Sequence, residues 1–273
     1  MPKLTTPDQV NLNYTDIGSG RPIVMIHGWP LSGAAFADNA KVLAAAGYRV
    51  ITYDRRGFGQ SGKPRDGYDY DTLAADLDAL LTGLDLHDVV LLGFSMGGGE
   101  VARYLATRGS ERVGAAILSG SICPALCITK DNPDGAMPRE GFQELADACA
   151  ADHAGFVDQF CGWFYSNDQG LAVPEEVRQQ AVEIARQSAP HAAVATILTW
   201  TEDLREDCRR IDVPLLVIHG DGDQNVPLAK SSARMPEYAQ QAQLVVIEGG
   251  PHGINVSHAD QWNAAILSFL AGS

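Results

Sequence analysis

Basic residues are scarce in this chain, and so are cysteines and long apolar runs. Its 20 Lys and Arg face 34 Asp and Glu, a formal net charge of −14, and the sequence pI is near 4.8. Such a surface repels phosphate backbones and anionic lipid, which argues against nucleic acid as a partner. No apolar run is long enough to span a bilayer, and MPKLTTPDQVNLNY at the start lacks the basic-then-apolar pattern of a secretory signal. The protein is therefore expected to be soluble and cytoplasmic, with no membrane partner. Cys123, Cys127, Cys149, Cys161 and Cys208 are odd in number and include no C-x-x-C pair. Neither a disulfide framework nor a zinc site is expected, and the five thiols read as buried or half-buried packing groups. H-E-x-x-H is also absent, so no metal is predicted. Fixed-period repeats and low-complexity tracts are missing, which excludes an array.

What is present is an alternation. At 273 residues the chain can bury a large core as one domain, or as one domain carrying an insertion. RPIVMIH, YRVITYD, DVVLLGF, RVGAAILSG, VPLLVIHG and AQLVVIEGG are short β-rich runs bounded by glycine or charge, the pattern of buried parallel strands. Helical patterns lie between several of them, such as YDTLAADLDALLTGLDL, with Leu73, Leu77, Leu80, Leu81 and Leu84 on one face. The expected fold is α/β, a mostly parallel central sheet flanked by helices. Between residues 121 and 205 the alternation breaks into prolines, helical segments such as PEEVRQQAVEIARQ and the aromatic cluster FCGWFY. That stretch reads as a helical cap inserted into a core made of residues 1–120 and 206–273.

Gly93-Phe94-Ser95-Met96-Gly97 matches G-x-S-x-G, with a strand before it and a helix after it. A sharp strand-to-helix turn strains the serine backbone and leaves no room for side chains two residues to either side, which explains the glycines. The turn also sets Ser95 at a helix N-terminus, where free N–H groups and the helix dipole favour negative charge. A serine hydroxyl needs a histidine base, and that histidine needs a carboxylate to hold its tautomer. In the order serine, acid, base, two later loops at strand ends supply candidates: LLVIHG runs into DGDQNVP, and LVVIEGG into PHG. His252 is the expected base. Asp223, deeper in its loop, is preferred as the acid, with Asp221 as the alternative. The stretch VMIHGWP supplies, in the loop after its strand, a second oxyanion donor: the backbone N–H of Trp29 pairs with that of Met96, Gly28 permits the turn, and His27 is read as structural.

One motif misleads. Gly57-Phe58-Gly59-Gln60-Ser61-Gly62 spells G-x-G-x-x-G, but Lys63, Pro64 and Gly67 follow instead of a helix, and no acidic residue closes a second strand at the required distance. No cofactor is expected.

Taken together, HGWPLSG, YDRRGFGQSGKP, GFSMGGGEVARY, DNPDG, HGDGDQNVP and GGPHG resemble the α/β-hydrolase superfamily, and within it the cofactor-free haloperoxidase, perhydrolase and aryl esterase group. The resemblance runs from about residue 10 to the C-terminus and thins between about 145 and 200. It implies Ser95 as nucleophile, Asp223 as acid, His252 as base, Trp29 and Met96 as oxyanion donors, and Asp54 as a structural residue of its turn. An aspartate nucleophile, as in dehalogenases and epoxide hydrolases of this fold, is disfavoured by Ser95.

The expected function is hydrolysis of small acyl or aryl esters through an acyl-enzyme. Trp29 and Phe94, with the cap aromatics Phe142, Phe160, Trp163 and Phe164, are the expected apolar pocket. Pro30 biases Trp29 toward extended backbone and is expected to aim its carbonyl at a peroxide acting as acyl acceptor, so perhydrolysis is an expected second activity. Lactone, amide (lactam) or C–C bond hydrolysis on the same triad is the nearest rival, and a non-catalytic ligand receptor of this fold the distant one. Proteins of this kind often form homo-oligomers, but no interface is legible in one sequence.

Overall fold

Five of the six apolar runs become buried strands, while the sixth, AQLVVIEGG, forms an edge strand whose Leu244 and Val246 are exposed. In the computed structural model, which describes residues 2–272, one sheet contains β1 (Lys3–Thr5), β2 (Asn11–Gly18), β3 (Pro22–Ile26), β4 (Arg49–Tyr53), β5 (Val89–Phe94), β6 (Val113–Ser119), β7 (Leu215–Gly220) and β8 (Ala242–Ile247). Their spatial order is β1-β2-β4-β3-β5-β6-β7-β8. Every pairing from β4 through β8 is parallel, while β1–β2 and β2–β4 are antiparallel. The central strands are buried on both faces, as in β5, where all six residues are inaccessible, so their sequence shows no alternation.

The antiparallel pair β1–β2 was not among the strands read from the sequence, and its composition explains why. β2 is NLNYTDIG, with exposed Asn11, Asp16 and Ile17 beside buried Leu12 and Asn13. This edge hairpin carries no clean period-2 signal.

Helices α1 (Ala37–Ala45), α2 (Tyr70–Gly83), α3 (Met96–Arg108) and α8 (Ala259–Ala271) flank the sheet, α1 packing with α8 and α2 with α3. Helix α2 illustrates how the sequence builds them. Asp69 accepts from the Thr72 amide at 2.9 Å as N-cap, and Leu73, Leu77, Leu80 and Leu81 are buried on one face, each stabilising the fold by about 2 kcal/mol.

Between β6 and β7 come α4 (Arg139–Ala151), α5 (His153–Phe164), α6 (Glu175–Ala185) and α7 (Pro190–Thr199). Helix α4 packs on α7 and α5, and α5 on α6. This segment also grips the core. The Trp29 indole donates to the Ala193 carbonyl at 3.0 Å, and the Phe164 carbonyl accepts from the Gly253 amide at 2.8 Å.

The glycines of the misleading motif serve a turn. Asp54 accepts from the Gly33 and Gln60 amides at 2.9 and 2.8 Å and from Asn13 Nδ2 at 3.0 Å. Gly59 has φ +48°, and a Cβ there would lie 2.4 Å from Asp54 Oδ2. All five cysteines are free and buried. Among the described residues no helix is long and apolar enough to cross a membrane.

Candidate active site

The site forms at the carboxyl ends of β3, β5, β7 and β8, beside the point where strand order reverses, where open α/β sheets bind ligands. β5 runs directly into Ser95, which has φ 55° and ψ −119°. A non-glycine residue held there stores about 1–3 kcal/mol of strain. The flanking glycines make the turn possible: a Cβ on Gly93 would sit 2.4 Å from the Gly97 carbonyl oxygen, and one on Gly97 2.4 Å from the Ile26 carbonyl oxygen. Gly98 and Gly99 serve packing, since their Cβ atoms would strike Ser121 and Tyr70.

The loops after β7 and β8 meet over this turn. His252 Nε2 lies 2.9 Å from Ser95 Oγ, and His252 Nδ1 lies 2.6 Å from Asp223 Oδ2. Asp221 does not reach the imidazole; it is exposed and accepts from the Gly249 amide at 2.6 Å, bracing the two loops. Asp223 Oδ1 accepts from the Asn225 and Val226 amides at 2.9 and 2.8 Å. Burial alone would raise the Asp223 carboxyl. The charge of His252 and hydrogen bonds from His219 and His252 outweigh it, and hold the group well below the usual carboxylate range.

His219, near the end of the strand LLVIHG, is fully buried against this carboxylate. Its Nε2 is 2.8 Å from the Val226 carbonyl and 3.1 Å from Asp223 Oδ2, and Nδ1 is 2.7 Å from Ser232 Oγ. In the neutral ring, Nε2–H donates toward both oxygens while the Ser232 hydroxyl donates to Nδ1. The signal that could have found it is its place four residues before the acid, at the end of the same strand.

Met96 opens α3, so its amide is one of the first-turn N–H groups that no carbonyl of the helix can reach. Trp29 follows Gly28, whose Cβ, if present, would lie 3.0 Å from the Cβ of Ser95. Among the described residues, no turn, loop or cap hydrogen bond engages either amide. The Trp29–Pro30 peptide bond is cis.

Above Ser95 and His252 opens a cavity of about 330 Å³. Trp29, Phe142, Phe160 and Trp163 line it, together with Ile122, Leu126, Met137, Leu145, Trp200 and the segment Gln224–Val226. Phe94, Phe164 and Pro30 are not part of this lining. The Phe94 and Phe164 rings instead flank the His252 imidazole edge-on, with centroids 5.3 and 4.8 Å away.

The α/β-hydrolase fold family matches residues 21–259 of this chain. The chain belongs to that family. Non-heme chloroperoxidase CPO-A1 of Kitasatospora aureofaciens is 40% identical, over 99% of this chain and 99% of its own length. Bifunctional esterase/perhydrolase DCH of Acinetobacter calcoaceticus is 33% identical over 98% of each chain. The crystal structure of a bromoperoxidase from Bacillus anthracis superposes with a TM-score of 0.96 at 39% identity, covering 99% of each chain. These matches put this α/β-hydrolase in the haloperoxidase and perhydrolase group and make it an ester-hydrolysing enzyme.

Within this α/β-hydrolase, the cavity walls are the part that sequence reasoning found least completely. Ile122 with Leu126, Met137, and Trp200 come from three separate stretches between β6 and β7 and carry no local mark of facing a cavity. Gln224, Asn225 and Val226 adjoin the acid, and that adjacency was a usable signal.

Proposed function

We propose that this hydrolase is a serine carboxylesterase of aryl-esterase type, acting on small acyl or aryl esters through an acyl-enzyme. The observation that carries the reading is the relay Asp223–His252–Ser95, at 2.6 and 2.9 Å, opening into an apolar cavity of about 330 Å³. Ser95 Oγ attacks the ester carbonyl while His252 Nε2 takes its proton, and Asp223 stabilises the resulting imidazolium. The carbonyl oxygen becomes an oxyanion and meets the amides of Trp29 and Met96, each such donor stabilising the transition state by about 3 kcal/mol. As the C–O bond to the alcohol breaks, His252 returns the proton to the leaving oxygen. Water, deprotonated by His252, then releases the acid. Phe142, Phe160 and Trp163 serve as acyl or aryl contacts, and Phe94 and Phe164 hold the imidazole plane.

A second acceptor is favoured by the likeness to the Acinetobacter esterase/perhydrolase. Hydrogen peroxide attacking the acyl-enzyme in place of water yields a peracid and free Ser95, and the peracid released can oxidise halide in solution. Pro30 is assigned to this step, through its control of the Trp29 backbone. The same reading treats residues 121–205 as a cap on the core of residues 1–120 and 206–273. The described contacts of Trp29 with Ala193 and of Gly253 with Phe164 support a cap that braces both loops.

The test is turnover of p-nitrophenyl acetate by the wild type beside Ser95→Ala, with and without hydrogen peroxide, followed by a panel of aryl esters, lactones and amides. Wild-type turnover that is lost in Ser95→Ala, with esters preferred, supports the reading. Undiminished turnover in Ser95→Ala refutes the nucleophile, and a stronger preference for lactones or amides refutes the substrate class.

A further inference from the structure

Beneath the loop that carries the Trp29 amide lies a buried polar cluster that the hydrolytic steps leave unused. His27, Arg55 and Glu100 are wholly inaccessible and Tyr53 nearly so. Arg55 Nε donates to Glu100 Oε2 at 2.9 Å, Arg55 Nη2 donates to the His27 carbonyl at 2.8 Å, and the Tyr53 hydroxyl donates to Glu100. A buried ion pair is weak evidence for stability, because desolvation offsets its attraction. Its geometry is more informative. Glu100 stands on α3 one turn beyond Met96, on the same helix face. Arg55 therefore bridges the helix that presents one amide and the loop that presents the other.

The tautomer of His27 adds a second constraint. The Arg55 amide donates to His27 Nε2 at 3.0 Å, so that nitrogen is the acceptor. Burial, reinforced by the Arg55 charge, pushes the His27 ring well below its ordinary value and keeps it neutral. The ring proton is then on Nδ1, which lies 2.8 Å from the Gly28 carbonyl. That oxygen also accepts from the Leu31 amide at 3.1 Å. In a trans peptide the C=O and N–H point in opposite directions. Holding the Gly28 carbonyl down on His27 turns the Trp29 N–H to the other side of the same plane, away from the buried cluster.

We propose that Arg55, clamped between Glu100 and the His27 carbonyl, is a positioning residue that sets the spacing of the Trp29 and Met96 amides, with the Nδ1-protonated His27 orienting the Gly28–Trp29 peptide. This rests on the reading of those amides as oxyanion donors.

An aryl trifluoromethyl ketone and its methyl ketone twin separate the two ideas. The fluorinated ketone takes Ser95 Oγ at its carbonyl carbon, the C=O π pair moves onto oxygen, His252 keeps the serine proton, and a tetrahedral oxyanion results. The methyl ketone binds mainly as a ground-state ligand. The wild type is expected to prefer the fluorinated ketone strongly. Arg55→Lys and Glu100→Gln are expected to cut that preference by about 10- to 100-fold, with a matching fall in kcat and little change in KM or in methyl ketone affinity. His27→Asn keeps a donor beside the Gly28 carbonyl and is expected to recover part of the preference that His27→Leu loses. If the wild type shows no preference, the oxyanion reading itself falls. If the wild type shows it and folded Glu100→Gln and Arg55→Lys keep it in full, the positioning role is wrong. Should Arg55→Lys fail to fold by circular dichroism, Glu100→Gln and the His27 pair decide the same question, and equal losses in the two His27 variants overturn the tautomer.

Discussion

Replacing Asp223 by Asn changes few atoms, and the surrounding donors dictate how the amide must sit. The Oδ1 position faces two backbone N–H groups, from Asn225 and Val226, at 2.9 and 2.8 Å. An NH2 group cannot occupy that side, so the carboxamide oxygen takes it and the nitrogen faces His252 Nδ1, 2.6 Å from the present Oδ2. A donor now confronts that ring nitrogen, which must accept, and the ring proton moves to Nε2. There it points at Ser95 Oγ, 2.9 Å away, and the imidazole can no longer take the serine proton. The expected loss in kcat is about 10,000-fold, as for triads locked in the wrong tautomer, or about 5.4 kcal/mol at 1.36 kcal/mol per decade. Stability should fall by about 1–3 kcal/mol as well, since the new NH2 also faces His219 Nε2–H, 3.1 Å from the present Oδ2, donor against donor. The assay is steady-state p-nitrophenyl acetate hydrolysis beside a urea melt. A folded Asp223→Asn enzyme within about tenfold of wild-type kcat would show that the carboxylate does not set the tautomer.

Four further outcomes are expected. Gly97→Ala forces a Cβ to within 2.4 Å of the Ile26 carbonyl oxygen, a backbone atom, and should cost about 1–3 kcal/mol and lower kcat; a urea midpoint and rate equal to the parent's would contradict the close approach. His27 is held neutral, its ring pushed below the ordinary 6.5 by burial first and Arg55 second. The unfolded chain alone therefore gains a proton there as pH falls below about 6.5, and its stabilising contribution, complete above that pH, declines by about 1.4 kcal/mol per pH unit. The urea midpoint of the wild type should fall more steeply between pH 6.5 and 5 than that of His27→Asn, and parallel slopes would refute the assignment. Trp163 lines the cavity yet is 40% exposed, so Trp163→Ala should open the solvent side and raise kcat/KM for naphthoyl over acetyl esters by about tenfold; an unchanged ratio would place the acyl group elsewhere. Pro30→Leu should lower the ratio of perhydrolysis to hydrolysis of acetate esters in hydrogen peroxide, and an unaltered ratio would remove Pro30 from the peroxide step.

The layers of this fold were largely legible, because each buried parallel strand must be apolar on both faces and so stands out as a run such as VVLLGF or LLVIHG. The hairpin β1–β2 was not, since an edge strand half in water takes polar residues like Asn11 and Asp16 without penalty. Asp223 and Asp221 illustrate the limit for the site. Both lie in one short loop, and only the paths of β7 and β8 decide that one faces His252 while the other braces Gly249.

By itself the amino-acid sequence determined the turn at Ser95, because that geometry is a local steric matter: two glycines two residues to either side, a strand before, a helix after. It likewise determined which apolar runs form the parallel strands, and the acidic surface. Tertiary structure alone decided that His219 sits against Asp223, that Arg55 joins α3 to the Trp29 loop, and that Trp200 and Met137 face the cavity while Phe94 and Phe164 face the imidazole. These contacts join segments far apart in the chain, and a buried aromatic or ion pair carries the same letters whether it packs a core or walls a site.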